Sequence, residues 1–272
     1  MEILISSEVE EKIVEELSKT SKDINIVSAF CKKSTLSLID KNVNGDVKKR
    51  LLVRFLPSDI ASGATDKEIF SYCKENGWQL FFDYTLHAKT YVFDHVKCIL
   101  GSANLTNKGI GIASNSNKEA SAYFLLDDDS YKKIMSLYKD SLLMTDELYE
   151  MVISGISDEE FISKREKTTL DVPKITCLFP EDFPDENTDV IELYQCRSYK
   201  WLVSFLKSKE NKTSYFGEIT ANIHNAFVKD PRPYRKDIKQ HLVDLLSCIK
   251  RLNISEIEIT RPNHSEVVRL LG

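Results

Sequence analysis

Six short apolar runs, each too brief for a helix and parted by amphipathic or turn-rich stretches, constrain the first 150 residues of this chain most tightly. They fall at 24–30, 51–56, 78–82, 88–93, 97–100 and 120–126. Runs of this length, rich in β-branched and aromatic residues, are strand signals. Between them the apolar spacing predicts helices over 7–19, 34–43, 66–75 and from about 127 to 144. Ser7 and Glu10 form a potential capping box for the first. Asn44-Gly45 and Asn76-Gly77 are stop signals, Asp127 to Asp129 can cap the fourth, and Thr145 and Ser157 can start two more. Elements of both kinds in alternation predict an α/β domain with a mixed sheet sandwiched by helices, placed at 1–170.

Charge sets the next boundary. The net charge is −5, but by counting along the chain residues 1–170 carry −5, 171–189 carry −5 and 190–272 carry +5. The middle strip is acidic and holds Pro173, Pro180 and Pro184, each lacking a backbone donor, so 171–189 is expected to be a linker. Beyond it, 190–272 reads as a mainly helical domain. Helices are expected at 198–209, 215–227 (with Thr213 as cap) and 234–252, then a hairpin of 256–260 and 266–270. That order resembles a winged helix. Lys229, Arg232, Arg235, Lys236 and Lys239 gather before and along the third helix, where they could bind nucleic-acid phosphates. A solvated face in an accessory or dimerisation domain is the plainer reading of the same charges.

Composition narrows the setting. Cysteines at 31, 73, 98, 177, 196 and 248 show no Cys-x-x-Cys pair and no regular spacing, which speaks against zinc, and the missing export signal speaks against a disulfide framework. No apolar run approaches the ~20 residues of a membrane span, and the start of the chain lacks a signal-peptide pattern. A soluble, cytoplasmic protein without membrane association is expected.

The chemistry is concentrated between 87 and 119. His87 and Lys89 stand two apart on an expected strand, so both should face the same side. An imidazole beside an ammonium suits an anionic substrate: the cation holds phosphate oxygens while the imidazole attacks phosphorus or moves a proton. Asp94 follows at the end of the strand. Gly101-Ser102-Ala103-Asn104 then leaves the next strand in a small turn whose hydroxyl, amide and backbone N–H groups can meet the same anion. Glu119 could accept a hydrogen bond from His87 and set its tautomer. Taken singly, Asp94, Ser102 and Asn104 are ordinary turn residues.

His-x-Lys-x4-Asp, then Gly-Ser-x-Asn and Leu-Thr-x-x-Gly, resembles the signature of the phospholipase D superfamily. The single copy of the motif is similar to the small bacterial nucleases and metal-independent restriction endonucleases of that superfamily. The resemblance implies a phosphodiesterase or endonuclease on nucleic acid, DNA first, in restriction or phage defence. It implies a homodimer in which His87 of one chain forms a phosphohistidine and His87 of the other serves the leaving group and then water. Lys89, Ser102 and Asn104 would bind phosphate; Asp94 and Gly101 would be structural, and Glu119 would orient His87. No metal or cofactor is implied. Two other readings stand beside it: a phospholipid hydrolase or transphosphatidylase, and an inactive or partner-gated component of a larger defence or repair complex. The other histidines have plainer readings: His95 as a turn residue, His224 and His241 as helix positions, and His264 as part of a loop.

Overall fold

The computed structural model describes residues 1–155, 175, 177–227, 234–262 and 265–271. Two compact units divide the chain, Met1–Leu170 and Asp171–Gly272.

An eight-stranded mixed sheet organises the first unit. In chain order its strands are β1 (Glu2–Ile5), β2 (Asp23–Ser28), β3 (Lys48–Val53), β4 (Trp78–Phe82), β5 (Lys89–Phe93), β6 (Lys97–Gly101), β7 (Ala120–Leu125) and β8 (Leu142–Leu143). Their spatial order is β1-β7-β6-β5-β2-β3-β4-β8. The β2, β3 and β4 strands run parallel, joined by helical crossovers, while β5, β6, β7 and β1 form an antiparallel flank. All six residues of β2 are buried, as expected of a central strand covered on both faces. On one face Ile24, Ile26, Leu51, Val53, Tyr91 and Ile99 pack in one apolar core with residues of α1 (Ser7–Leu17), α2 (Lys33–Asp40) and α4 (Ile69–Glu75). On the other, Tyr138 is fully buried, edge-on to Phe81 at 5.2 Å, and its hydroxyl donates to the Ile26 carbonyl at 3.3 Å. The mixed sheet between helices agrees with the sequence reading.

Local details depart from it. Ser7 does not cap α1. Strand β1, which the reading lacks, runs straight into the helix, and the chain turns at Ser6 with φ 54°, while Glu8 accepts from the Ile5 N–H at 2.7 Å. A short helix α3 (Pro57–Ala61) follows β3 where only a stop is expected, its proline suited to the first turn. The helix expected to reach residue 144 ends earlier: α5 (Asp128–Met135) passes into a 3-10 turn, and Leu142–Leu143 joins β4 as a strand. Thr145 does cap α6 (Asp146–Ser154), accepting from the Leu148 N–H at 3.2 Å. Ser157 lies outside the described residues.

The second unit contains α7 (Val190–Gln195), α8 (Arg197–Lys207), β9 (Thr213–Tyr215), α9 (Phe216–Ala226), α10 (Arg235–Arg251), β10 (Ile257–Thr260) and β11 (Val267–Leu270). The three strands pair in the order β10-β11-β9. From α8 onward the unit runs through a helix, a strand, two helices and two strands, with the first strand beside the last, which is the order of a winged helix. Thr213 therefore belongs to a strand and does not cap α9. The described part of the acidic strip is folded into this unit rather than left as a free connector. Leu178 bridges Phe227, Arg251 donates to the Thr188 carbonyl at 2.7 Å, and Asp189 with Glu192 builds a capping box for α7.

Candidate active site

One edge of the first unit's sheet collects the motif residues. The β2 strand ends there and β5 begins there, with Ser28 opposite Lys89; β6 ends there with Gly101 opposite Ser121. His87 precedes β5 and is exposed, and among the described residues its ring takes no hydrogen bond. Lys89, the first residue of β5, is only 8% exposed, and its ammonium curls back to donate to the His87 carbonyl at 2.6 Å. So the ammonium meets His87 through its backbone carbonyl, and His87 itself stands just before the strand. Burial pushes the Lys89 pKa below its ordinary value; the nearby Glu119 carboxylate opposes that shift, and the Arg54 guanidinium adds to it.

The turn after β6 is tightly specified. A side chain at Gly101 would place its Cβ 2.2 Å from Ser121 Oγ and 2.4 Å from the Ala120 carbonyl, so only glycine lets β7 pass this close. Ser102 then binds the start of β7 twice over: its N–H donates to the Ala120 carbonyl at 3.1 Å, and its Oγ accepts from the Ala120 N–H at 3.1 Å. The same hydroxyl donates to the Glu119 carboxylate, which also accepts from Asn117 Nδ2 at 3.0 Å. Within one chain no hydrogen bond joins Glu119 to His87. Asn104 is oriented by its carbonyl oxygen, which accepts from the Phe30 N–H at 3.1 Å. Its NH2 end has no partner among the described residues and remains able to donate. Ser28 braces the loop by accepting from the Leu105 N–H at 2.8 Å, and a Cβ on Gly109 would lie 2.3 Å from the Asn104 carbonyl.

Asp94 lies at the far end of β5. Its carboxylate accepts backbone N–H groups of Ser21 (3.1 Å), Lys22 (2.7 Å) and Asp23 (3.3 Å), tying the loop before β2 to the β5–β6 turn. His95 sits in that turn with φ 64°, its ring tilted against that of Tyr131 at 4.4 Å and paired with Asp23. Neither residue is near His87 along the strand.

The structure adds Arg54, which motif spacing misses. It follows β3 at the same edge, its N–H donating to the Ala29 carbonyl at 3.3 Å. Its guanidinium donates twice to Asp59, at 2.8 and 2.9 Å, and lies over the Phe30 ring at 4.9 Å. The only trace in the sequence is a lone charge inside the apolar run before Pro57.

In the second unit, Lys236 and Lys239 are exposed on α10. Arg235 opens that helix, with its side chain outside the described positions; Lys229, Arg232 and His264 lie outside the described residues.

A family model described as a cardiolipin synthase, PLD-like domain matches residues 13–139, a span that contains every residue from His87 to Glu119. Residues 13–139 therefore match a phospholipase D-like domain. No curated protein matches it in sequence. Among solved structures, the chain is similar to Nuc from Salmonella typhimurium, described as a phospholipase D family member. The identity is 16% over 51% of this chain and 91% of that one, with a TM-score of 0.39. NucT from Helicobacter pylori is 14% identical over 56% of this chain and 97% of its own, with a TM-score of 0.36. Phosphatidylserine synthase from Haemophilus influenzae is 12% identical over 59% of this chain and 42% of its own, with a TM-score of 0.46. Among the described residues no helix is long and apolar enough to cross a membrane.

Proposed function

We propose that this chain is a member of the phospholipase D superfamily and a metal-independent phosphodiesterase that cleaves nucleic acid, DNA foremost, at a site completed by two copies of the chain. The observation that carries the chemistry is the Lys89 ammonium. It is almost buried, yet among the described residues no carboxylate lies within ion-pair distance of it. Buried charges are ordinarily paired, so an ammonium left this way is set to receive an anion. Asn104 offers its NH2 group at the same edge, and exposed His87 stands beside them.

In this reading His87 attacks phosphorus, forming a P–N bond as the leaving oxygen departs. The second copy's His87 gives that oxygen a proton, then takes one from the water that opens the P–N bond. Lys89 and Asn104 neutralise the phosphoryl oxygens, and Ser102 assists. Glu119, held by Ser102 and Asn117 within one chain, is assigned to orient a histidine once two copies assemble. Asp94 and Gly101 are assigned structural roles.

The choice of nucleic acid draws on the second unit, where the net charge is positive from residue 190 onward and Lys236 and Lys239 are exposed on α10. A phospholipid substrate is the second reading, favoured by the description that the matched family model carries. One assay separates them: incubation with plasmid, single-stranded DNA, RNA and anionic phospholipid vesicles in EDTA. Nicked or linear DNA with wild-type protein, and none with His87→Ala, is the expected result. Phospholipid turnover with intact nucleic acids would replace this reading with the second.

A further inference from the structure

Arg54 is a charged group at the motif edge for which the two-histidine chemistry has no use. Three observations distinguish it from an ordinary surface arginine. Its Nε and Nη2 are committed to Asp59 at 2.8 and 2.9 Å, and the Asp59 side chain is only 9% exposed, so the guanidinium cannot swing freely. Its face lies on Phe30, the same residue whose backbone N–H orients the Asn104 amide. Its remaining nitrogen, Nη1, has no hydrogen-bond partner among the described residues. A guanidinium fixed on two sides with one free edge loses little entropy when it binds, and a planar fork suits phosphate oxygens. The Arg54 guanidinium is also close enough to disfavour the Lys89 ammonium, after burial and against the opposing Glu119 carboxylate. An anionic ligand passing both would relieve that repulsion.

We propose that Arg54 is a second phosphate-binding cation of this site, positioned by Asp59 and Phe30 for the backbone phosphate next to the one attacked. Resting on the nucleic-acid reading above, it gives the site a preference for a chain of phosphodiesters over an isolated one. Asp59 is then a positioning residue. It holds the guanidinium without touching substrate.

The test uses the full chain carrying His87→Asn, so that oligonucleotides bind without being cut. Affinity for labelled single-stranded and duplex oligonucleotides is measured by fluorescence anisotropy across a salt series, with thermal melting of every variant. Arg54→Gln should weaken binding about five- to tenfold at low salt. It should also reduce the dependence of log affinity on log salt by about 0.7–0.9, the share of one phosphate contact. A merely structural arginine would not move that slope. Arg54→Lys should keep the slope and lose part of the affinity, because the charge stays while the fork and the stack are lost. Asp59→Asn should weaken binding less than Arg54→Gln. If Arg54→Gln melts like its parent and keeps both affinity and slope, the assignment is wrong. Should Arg54→Gln fold poorly, unchanged affinity in Arg54→Lys overturns it equally. A parent chain that binds neither oligonucleotide defeats the nucleic-acid reading itself, which is a distinct result.

Discussion

Lys89 shows how a side chain can be costly to the fold and useful to the site. Its pKa is lowered chiefly by burial, so the folded chain holds this proton less tightly than the unfolded one. Below the folded value the penalty on stability is complete. Between that value and the ordinary ~10.4 the unfolded state binds more protons, so stability rises with pH and the penalty fades. Lys89→Met should therefore melt higher than wild type near pH 7, by roughly 2–4 °C for each kcal/mol regained. The advantage should shrink as the pH climbs from the lowered folded value towards the ordinary ~10.4, while cleavage is lost at every pH. A variant that melts lower at pH 7 and recovers nothing at high pH would contradict the sign. His87→Ala makes the opposite comparison. The ring is exposed and makes no hydrogen bond among the described residues, so melting should shift by no more than about 0.5 kcal/mol, while turnover falls to background. That His87, Lys89 and Asn104 gather at one sheet edge was legible in the sequence because they lie in a short run of fixed spacing. Arg54 was not, because the residues that fix it, Phe30 and Asp59, are set by a parallel strand pair and a five-residue helix.

Elements with a strong local period were legible, and those defined by distant partners were not. The central strands and the helices α1, α2, α9 and α10 stand close to their expected places, since a buried run or an apolar stripe announces itself within one window. Strands β1, β8 and β9 are short, and each exists by pairing with a strand far along the chain: β1 with β7, β8 with β4, β9 with β11. Glycine marks where such pairing is closest. Gly101→Ala would drive a methyl group to 2.2 Å from Ser121 Oγ and 2.4 Å from the Ala120 carbonyl, the second a backbone atom with little room to move. Overpacking of this kind costs about 1–3 kcal/mol. It should also separate Ser102 from Glu119, so cleavage should fall further than melting alone accounts for. Denaturant midpoints measured beside initial rates check this; a variant with unchanged rate and stability would show that β7 can yield.

For the whole molecule the question is how many chains make one site. One motif supplies one His87, and the chemistry proposed above needs one histidine to attack and another to serve the leaving group. Neither role is assigned permanently, because a two-fold pair presents identical surfaces. Such a site predicts a particular response to dilution by dead subunits. If wild-type and His87→Ala chains are co-expressed in equal amounts and pair at random, about a quarter of the pairs carry both histidines. Activity for each wild-type chain should then fall to about half, and further excess of the variant should lower it in proportion to the wild-type fraction. Chains acting alone would keep full activity per wild-type chain at every ratio. Light scattering on the same mixtures supplies the mass, so that loss of activity is read against a pair near twice 31.2 kDa. Linear behaviour with a stable monomer would require both proton transfers to be managed within one chain, where among the described residues the only histidine at the motif edge is His87.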